Sequence, residues 1–171
     1  KIIEFEKRQN SVLNFLPKKT KVFGRAFLKE VFSIDNDRLL ILIGHLYLEN
    51  ILIEIIKKKF KNIDNLEESG IINSFYKKVK LLESQNYLGV DIVNDLLFIN
   101  EIRNKFVHNL KYHTNQIDMF RLYHMKRFKG YIQIKNKKAL IEFNRLVIKQ
   151  TFKYLLFKFT KKYRFIHLMD V

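Results

Sequence analysis

Apolar and polar positions fall along the chain in blocks with helical spacing, separated by short polar breaks. Residues 2–16 and 20–32 read as two short helical pieces split by Pro17, with Lys18, Lys19 and Lys21 in the joint. Asp35, Asn36 and Asp37 then offer N-cap oxygens and first-turn negative charge to a stretch that is apolar almost without interruption to Ile56 and closes on Lys57, Lys58 and Lys59. Acid at the start and base at the end both suit a helix macrodipole. A helix apolar nearly all round is expected at the centre of a bundle. The acidic segment 62–70 separates it from a shorter helix over 71–84, closed by 86–89. The next helix is expected from Val90 or Asp91 to Asn109, with Ile92, Leu96, Ile99, Phe106 and Leu110 as core candidates. A helix over 115–127 precedes Gly130, and Tyr131, Ile132, Gln133 and Ile134 suggest a short extended piece. A long final helix is expected over 137–161, where Phe143, Phe152, Phe157 and Phe159 form a core stripe first and a base-stacking surface second. The pattern predicts an all-α bundle of four to six helices, with one domain spanning 1–171 and no internal repeat.

Composition narrows the chemistry. With 47% hydrophobic residues in 171, the chain has enough apolar material for its own core, which argues against intrinsic disorder. The absence of Cys excludes a disulfide frame, a thiolate nucleophile and a Cys-based zinc site. A single Pro and five Gly fit a helical protein better than a many-stranded sandwich. The first residues, KIIEFEKRQN, do not resemble a signal peptide. Residues 39–56 approach membrane length but hold His45, Glu49, Asn50 and Glu54. Each carboxylate would cost about 2.5 kcal/mol or more at bilayer depth. A buried helix in a cytoplasmic protein, with no membrane partner, is the expectation.

The formal net charge of +16 is unevenly placed. Residues 121–164 carry 14 basic side chains against one acid, Glu142, a net +13, while the remaining chain nets only +3. Lys outnumbers Arg 25 to 8, as an A+T-rich coding sequence alone would produce, but such a bias does not segregate charge into one segment. A nucleic acid is the leading partner, with a solvated basic face and an anionic membrane or acidic protein as alternatives. Arg145, Lys149 and Lys153 recur at i, i+4 and i+8, and with Arg121, Lys126 and Arg127 they are the candidate RNA-binding residues.

Residues 101–110 read EIRNKFVHNL. Arg103 and His108 lie five positions apart, so on an ideal helix their side chains diverge by about 140°. One helix face cannot present both without a kink, a helix end or a second copy of the helix across a symmetry axis. Arg and His together suffice in principle to cleave RNA without metal. The planar Arg fork holds and neutralises a phosphate, and His exchanges protons near neutral pH with a ribose hydroxyl or the leaving oxygen.

The stretch INEIRNKFVHNL resembles the Arg-x4-His motif of the HEPN superfamily, and its RN-x-F-x-H form is similar to proteins related to the mannitol operon repressor. The upstream DNDRLLILIGHLYLENILIEII resembles the Asp-Arg followed by a long apolar helix of that branch. The resemblance, over residues 34–127, implies an up-and-down helical core and a homodimer that brings two motifs together. It also implies metal-independent endoribonuclease activity of the kind found in toxin–antitoxin and phage-defence systems, with an antitoxin protein as a further partner. Carried over, Arg103 contacts the scissile phosphate, His108 acts as acid/base or phosphate ligand, and Asn104 positions one of them. Position 110 is Leu, where toxins silenced by a nucleotidyltransferase carry Tyr. The mannitol-repressor branch implies the alternative of a non-catalytic nucleic-acid-binding or transcriptional regulator.

His45 and Glu49, at i and i+4 of the most apolar helix, are expected to bond each other or a neighbouring helix, and Glu49 is also a candidate support for the Arg/His cleft. His113 and His124 are eleven apart with only Asp118 nearby, which is poor metal-ligand spacing. No metal and no cofactor is expected.

Overall fold

A computed structural model describes residues 27–61 and 63–163. The helix expected over 2–16, and 20–26 of the second piece, lie outside these residues, as does Arg164. The described part is an all-α bundle of six helices with no strand. They are α1 (27–33), α2 (Asp37–Lys59), α3 (Ile63–Glu68), α4 (Phe75–Ser84), α5 (Val90–His108) and α6 (Lys137–Tyr163), with three 3₁₀ turns between α5 and α6 at Thr114–Gln116, Met119–Arg121 and Tyr123–Phe128.

The long apolar helix begins as its sequence suggests. Asn36 is the N-cap, its side chain accepting from the Leu39 amide at 2.9 Å, with Asp37 in the first turn and three lysines in the last. Helix α2 packs against α4, α5 and α6. Leu40, Ile41, Leu48, Leu52, Ile55 and Ile56 are buried in these contacts and continue into one core cluster with Leu96 and Ile99 of α5 and Phe152 and Leu155 of α6. Helix α2 is long and apolar enough to cross a membrane, and half of its most apolar window is buried inside the fold. Burial is not complete all round, as the sequence had suggested. Leu39 and Leu46 are 48% and 55% exposed, and Leu42, Ile43 and Ile53, only partly covered, share their face at 100° per residue.

Asp37 and Arg38 tie the head of α2 to three other segments. The Asp37 carboxylate accepts from Arg145 Nε on α6 at 2.5 Å and from the Thr114 hydroxyl in the first 3₁₀ turn. Arg38 donates to the Phe106, Asn109 and Leu110 carbonyls, which the end of α5 leaves without intrahelical partners. Its guanidinium also lies 5.5 Å from the Phe106 ring centroid. Charge-assisted bonds of this sort contribute about 1.5–3 kcal/mol each.

Several expectations from sequence need correction. The segment 62–70 contains the helical turn α3, and α4 starts at Phe75 rather than 71, with Ser74 as its N-cap. Residues 115–127 form 3₁₀ turns, not an α-helix. Their buried residues Met119, Leu122 and Met125 recur every third position and so eclipse one another on the 3₁₀ period. Asn144 of α6 holds the turns in place, donating to the Thr114 and Ile117 carbonyls at 2.7 and 3.1 Å. Residues 131–134 form no strand, although half-buried Ile132 and Ile134 alternate with exposed Tyr131 and Gln133. Leu110, a core candidate by spacing, lies past the end of α5 and is 82% exposed.

Gly44 marks the tightest approach between α2 and α6. A Cβ there would overlap the ring of Phe152, which is fully buried. Overpacking of this kind typically costs about 1–3 kcal/mol. Gly44→Ala is therefore expected to lower the urea midpoint followed by circular dichroism, and an unchanged midpoint would show that α2 and α6 are less tightly seated.

Candidate functional site

The last three turns of α5 carry the residues singled out by sequence. Arg103 and Asn104 are half-buried and His108 is exposed. Arg103 Nη1 donates to Asn104 Oδ1 at 3.0 Å. Asn104 and His108, one turn apart, line the same open cleft of about 530 Å³, together with Leu97, Asn100, Glu101, Lys105 and Asn109 of the α5 face and Tyr76 of α4. Arg103 is not among the lining residues, and its charge acts on His45 of α2. Asn104 is therefore the link between the two, bonded to Arg103 and facing the cleft of His108. A second depression of about 400 Å³ lies along the same helix, lined by Asn94, Leu97, Phe98, Glu101, Arg121 and Lys126. Leu97 and Glu101 line both, so this second groove adjoins the cleft along α5.

A polar layer lies beneath the cleft. His45, buried on α2, meets Asn100 Oδ1 through Nε2 at 3.0 Å and packs its ring 4.2 Å from that of Phe75. A carbonyl oxygen only accepts, so His45 carries its proton on Nε2. Burial pushes the His45 pKa below its ordinary 6.5; the Asn100 bond and Glu49 oppose this, while the nearby Arg103 and Lys78 reinforce it. Of the two arrangements expected for His45 and Glu49, the structure shows the second, each bonding a neighbouring helix rather than the other. Glu49 pairs with Lys78 of α4, buried at the helix contact, at 2.8 Å. Its link to the Arg/His site runs only through the field it exerts on His45.

The basic segment is not the continuous surface that its sequence suggests. Arg145 is spent on Asp37, and Lys149, 8% exposed, donates to the Phe32 carbonyl at 2.9 Å. Lys153 is half-buried, and desolvation lowers the pKa of both lysines. Their i, i+4, i+8 stripe faces the body of the protein because α6 must cover α1 and α2. Arg121 grips Glu101 with two bonds, at 2.9 and 2.6 Å, and lies 4.3 Å from the Phe98 ring centroid. Hydrogen bonds from Arg121 first, and from Lys105 second, hold the Glu101 carboxyl down to about 2. Lys126 and Arg127 are exposed, Lys126 on the groove and Arg127 against the Phe128 ring at 4.8 Å. Lys129, Lys135, Lys137 and Lys138 are exposed as well, so the open cationic surface is centred on 126–138. The candidate residues did not include these four lysines.

His113 closes a capping box with Gln116, and His124 packs against Tyr154 with ring centroids 5.4 Å apart. No three His, Asp or Glu side chains converge as a metal site among the described residues. Phe152 and Phe159 are fully buried and Phe143 half-buried, which makes the phenylalanine stripe of α6 core.

Sequence reading also missed Asn100, Tyr76, Lys105 and Asn109 at the cleft. Asn100, Asn104 and His108 recur every four residues, a signal present in the chain. Nothing local announced that Tyr76, on another helix, would form a wall. The chain matches no family model, no curated protein and no solved structure.

The depressed pKa of His45 has a sign that can be checked. Below pH 6.5 the unfolded chain takes up a proton that the folded one resists, so this contribution is full above pH 6.5 and lost as the pH falls. His45→Gln keeps an N–H donor for Asn100 but cannot titrate. The variant is expected to lose part of the fall in urea midpoint between about pH 7 and pH 5. An unaltered pH dependence would mean that His45 titrates normally.

Proposed function

We propose that this protein is a metal-independent endoribonuclease of HEPN type, working as a homodimer and serving as a toxin or phage-defence effector, with an antitoxin protein as its neutralising partner. One observation carries the reading: Asn104 joins Arg103 by a hydrogen bond while sharing the solvent-open cleft of His108. Phosphate ligand, proton carrier and positioning amide thus occupy six residues of one helix.

In this reaction the ribose 2′-oxygen attacks phosphorus and the bond to the 5′-oxygen breaks, leaving a 2′,3′-cyclic phosphate and a 5′-hydroxyl. Arg103 offsets the charge that builds on the phosphoryl oxygens. His108 takes the 2′-hydroxyl proton or supplies one to the departing oxygen, and a His from a second chain completes the acid/base pair. A twofold partner also removes the 140° divergence, because Arg from one chain then meets His from the other. The uncovered face of α2 supports such a partner, since Leu39 and Leu46 are exposed while Leu42, Ile43 and Ile53 beside them are only partly covered. The exposed cations of 126–138 favour a second reading, the same fold as a non-catalytic nucleic-acid-binding or transcriptional regulator.

Purified protein with mixed RNA in EDTA is expected to yield 2′,3′-cyclic phosphate ends, and His108→Ala to reduce the rate by at least about 100-fold. Cleavage undiminished in His108→Ala, or seen only with divalent metal, would overturn the enzyme. RNA binding without cleavage in the unaltered protein would select the regulator.

Leu46→Glu places a charge on the open face of α2. It is expected to shift the protein from dimer to monomer in analytical ultracentrifugation and to abolish cleavage. A fully active monomer would remove the composite site.

A further inference from the structure

We propose that the cleft beside His108 holds one unpaired base of single-stranded RNA, uracil in preference to adenine, against Tyr76 and read by the amide N–H groups of Asn100, Asn104 and Asn109. The inference rests on the ribonuclease reading above for its position next to the scissile phosphate, but not for its chemistry.

The size of the cleft comes first. At about 530 Å³ it falls in the usual range for small-ligand sites and is open enough for a base turned out of a strand. Bases stacked inside an A-form duplex cannot reach such a concavity, so the ligand is single-stranded. Tyr76 supplies an aromatic wall and is 52% exposed, with Lys80 Nζ 5.9 Å from its ring centroid. An exposed aromatic beside a cation is the usual platform for an unpaired base.

The amides decide which base. Asn100 has its carbonyl oxygen held by His45, Asn104 by Arg103, and Asn109 by the Lys111 backbone N–H at 2.9 Å. In each case Oδ1 is already an acceptor, which leaves the NH₂ group as the part offered to a ligand. Three donors at one cleft, two from the helix and one from its C-cap, select a ligand edge rich in acceptors. Uracil presents two carbonyl oxygens on either side of one N–H; adenine accepts only through ring nitrogens, and the amino donor beside N1 and N7 opposes the amide N–H groups. Neutral His45 is the positioning residue, because its Nε2 proton fixes the orientation of the Asn100 amide.

The groove lined by Arg121 and Lys126 adjoins the cleft across Leu97 and Glu101, which puts cations on that side of a base held in the cleft.

The test uses the full-length His108→Ala protein, which prevents turnover, and labelled oligouridylate and oligoadenylate of roughly ten nucleotides, read by fluorescence anisotropy at fixed salt. Oligouridylate is expected to bind more tightly. Adding Tyr76→Ala should weaken it about tenfold, and Tyr76→Phe, which keeps the ring, should not. Asn109→Asp keeps the acceptor for Lys111 and removes the donors, so it should narrow the uridylate-to-adenylate ratio. Equal binding of the two oligonucleotides, an unaffected Tyr76→Ala, or equal weakening of both by Asn109→Asp, a pure charge effect, would each overturn the inference. The two readings separate cleanly. Cleavage by the unaltered protein without base selectivity sinks the base site alone, whereas Tyr76-dependent selectivity without cleavage sinks the ribonuclease and leaves the base site standing.

Discussion

The seating of α2 depends on two adjacent side chains, Asp37 and Arg38. One accepts from Arg145 and the Thr114 hydroxyl, the other donates to carbonyls at the end of α5, so a single helical turn fixes α5, α6 and the connection between them. Removing either side chain would strand buried or part-buried polar groups, which costs more than forming the bonds gains. Because Arg38 anchors the last turn of α5, it also sets where His108 and Asn109 stand. The proposed chemistry is thus positioned by a contact that involves none of its own residues.

The same constraint explains the fate of the basic segment. Helix α6 has to cover the side of α1 and α2 opposite the cleft, and its cations are drawn into that packing. Arg145 becomes a counter-ion and Lys149 a buried donor to a backbone carbonyl. Long basic side chains can do this because their stems are apolar while their heads satisfy polar groups. The cations left open to solvent in this segment lie mainly in the irregular stretch before α6.

Helix identity was legible in the chain wherever caps and periodicity agreed. The head of α2 could be placed from Asn36 and Asp37, and both ends of α5 from Gly89 and Asn109. The 3₁₀ turns were not, because Met119, Leu122 and Met125 are compatible with either kind of helix until Asn144 and Asp95 supply their bonds from elsewhere. At the candidate site, Arg103 and His108 were singled out by residue type and spacing, and Asn104 by the resemblance. Whether Arg145 and Lys149 were free could not be read, since a stripe at i, i+4, i+8 looks the same toward solvent and toward a neighbour. The cross-helix bond from His45 to Asn100 has no local signature at all.

The connection between α5 and α6 has a further consequence. Its 3₁₀ turns have poorer hydrogen-bond geometry than the helices that flank them, and a single amide, Asn144, ties down two of their carbonyls. Amide hydrogens there are expected to exchange with solvent before those of α2. The exposed cations at 126–129 ride on this weakly fastened stretch. Exposed cations thus stand on backbone whose geometry can change at lower cost than that of the helices beneath.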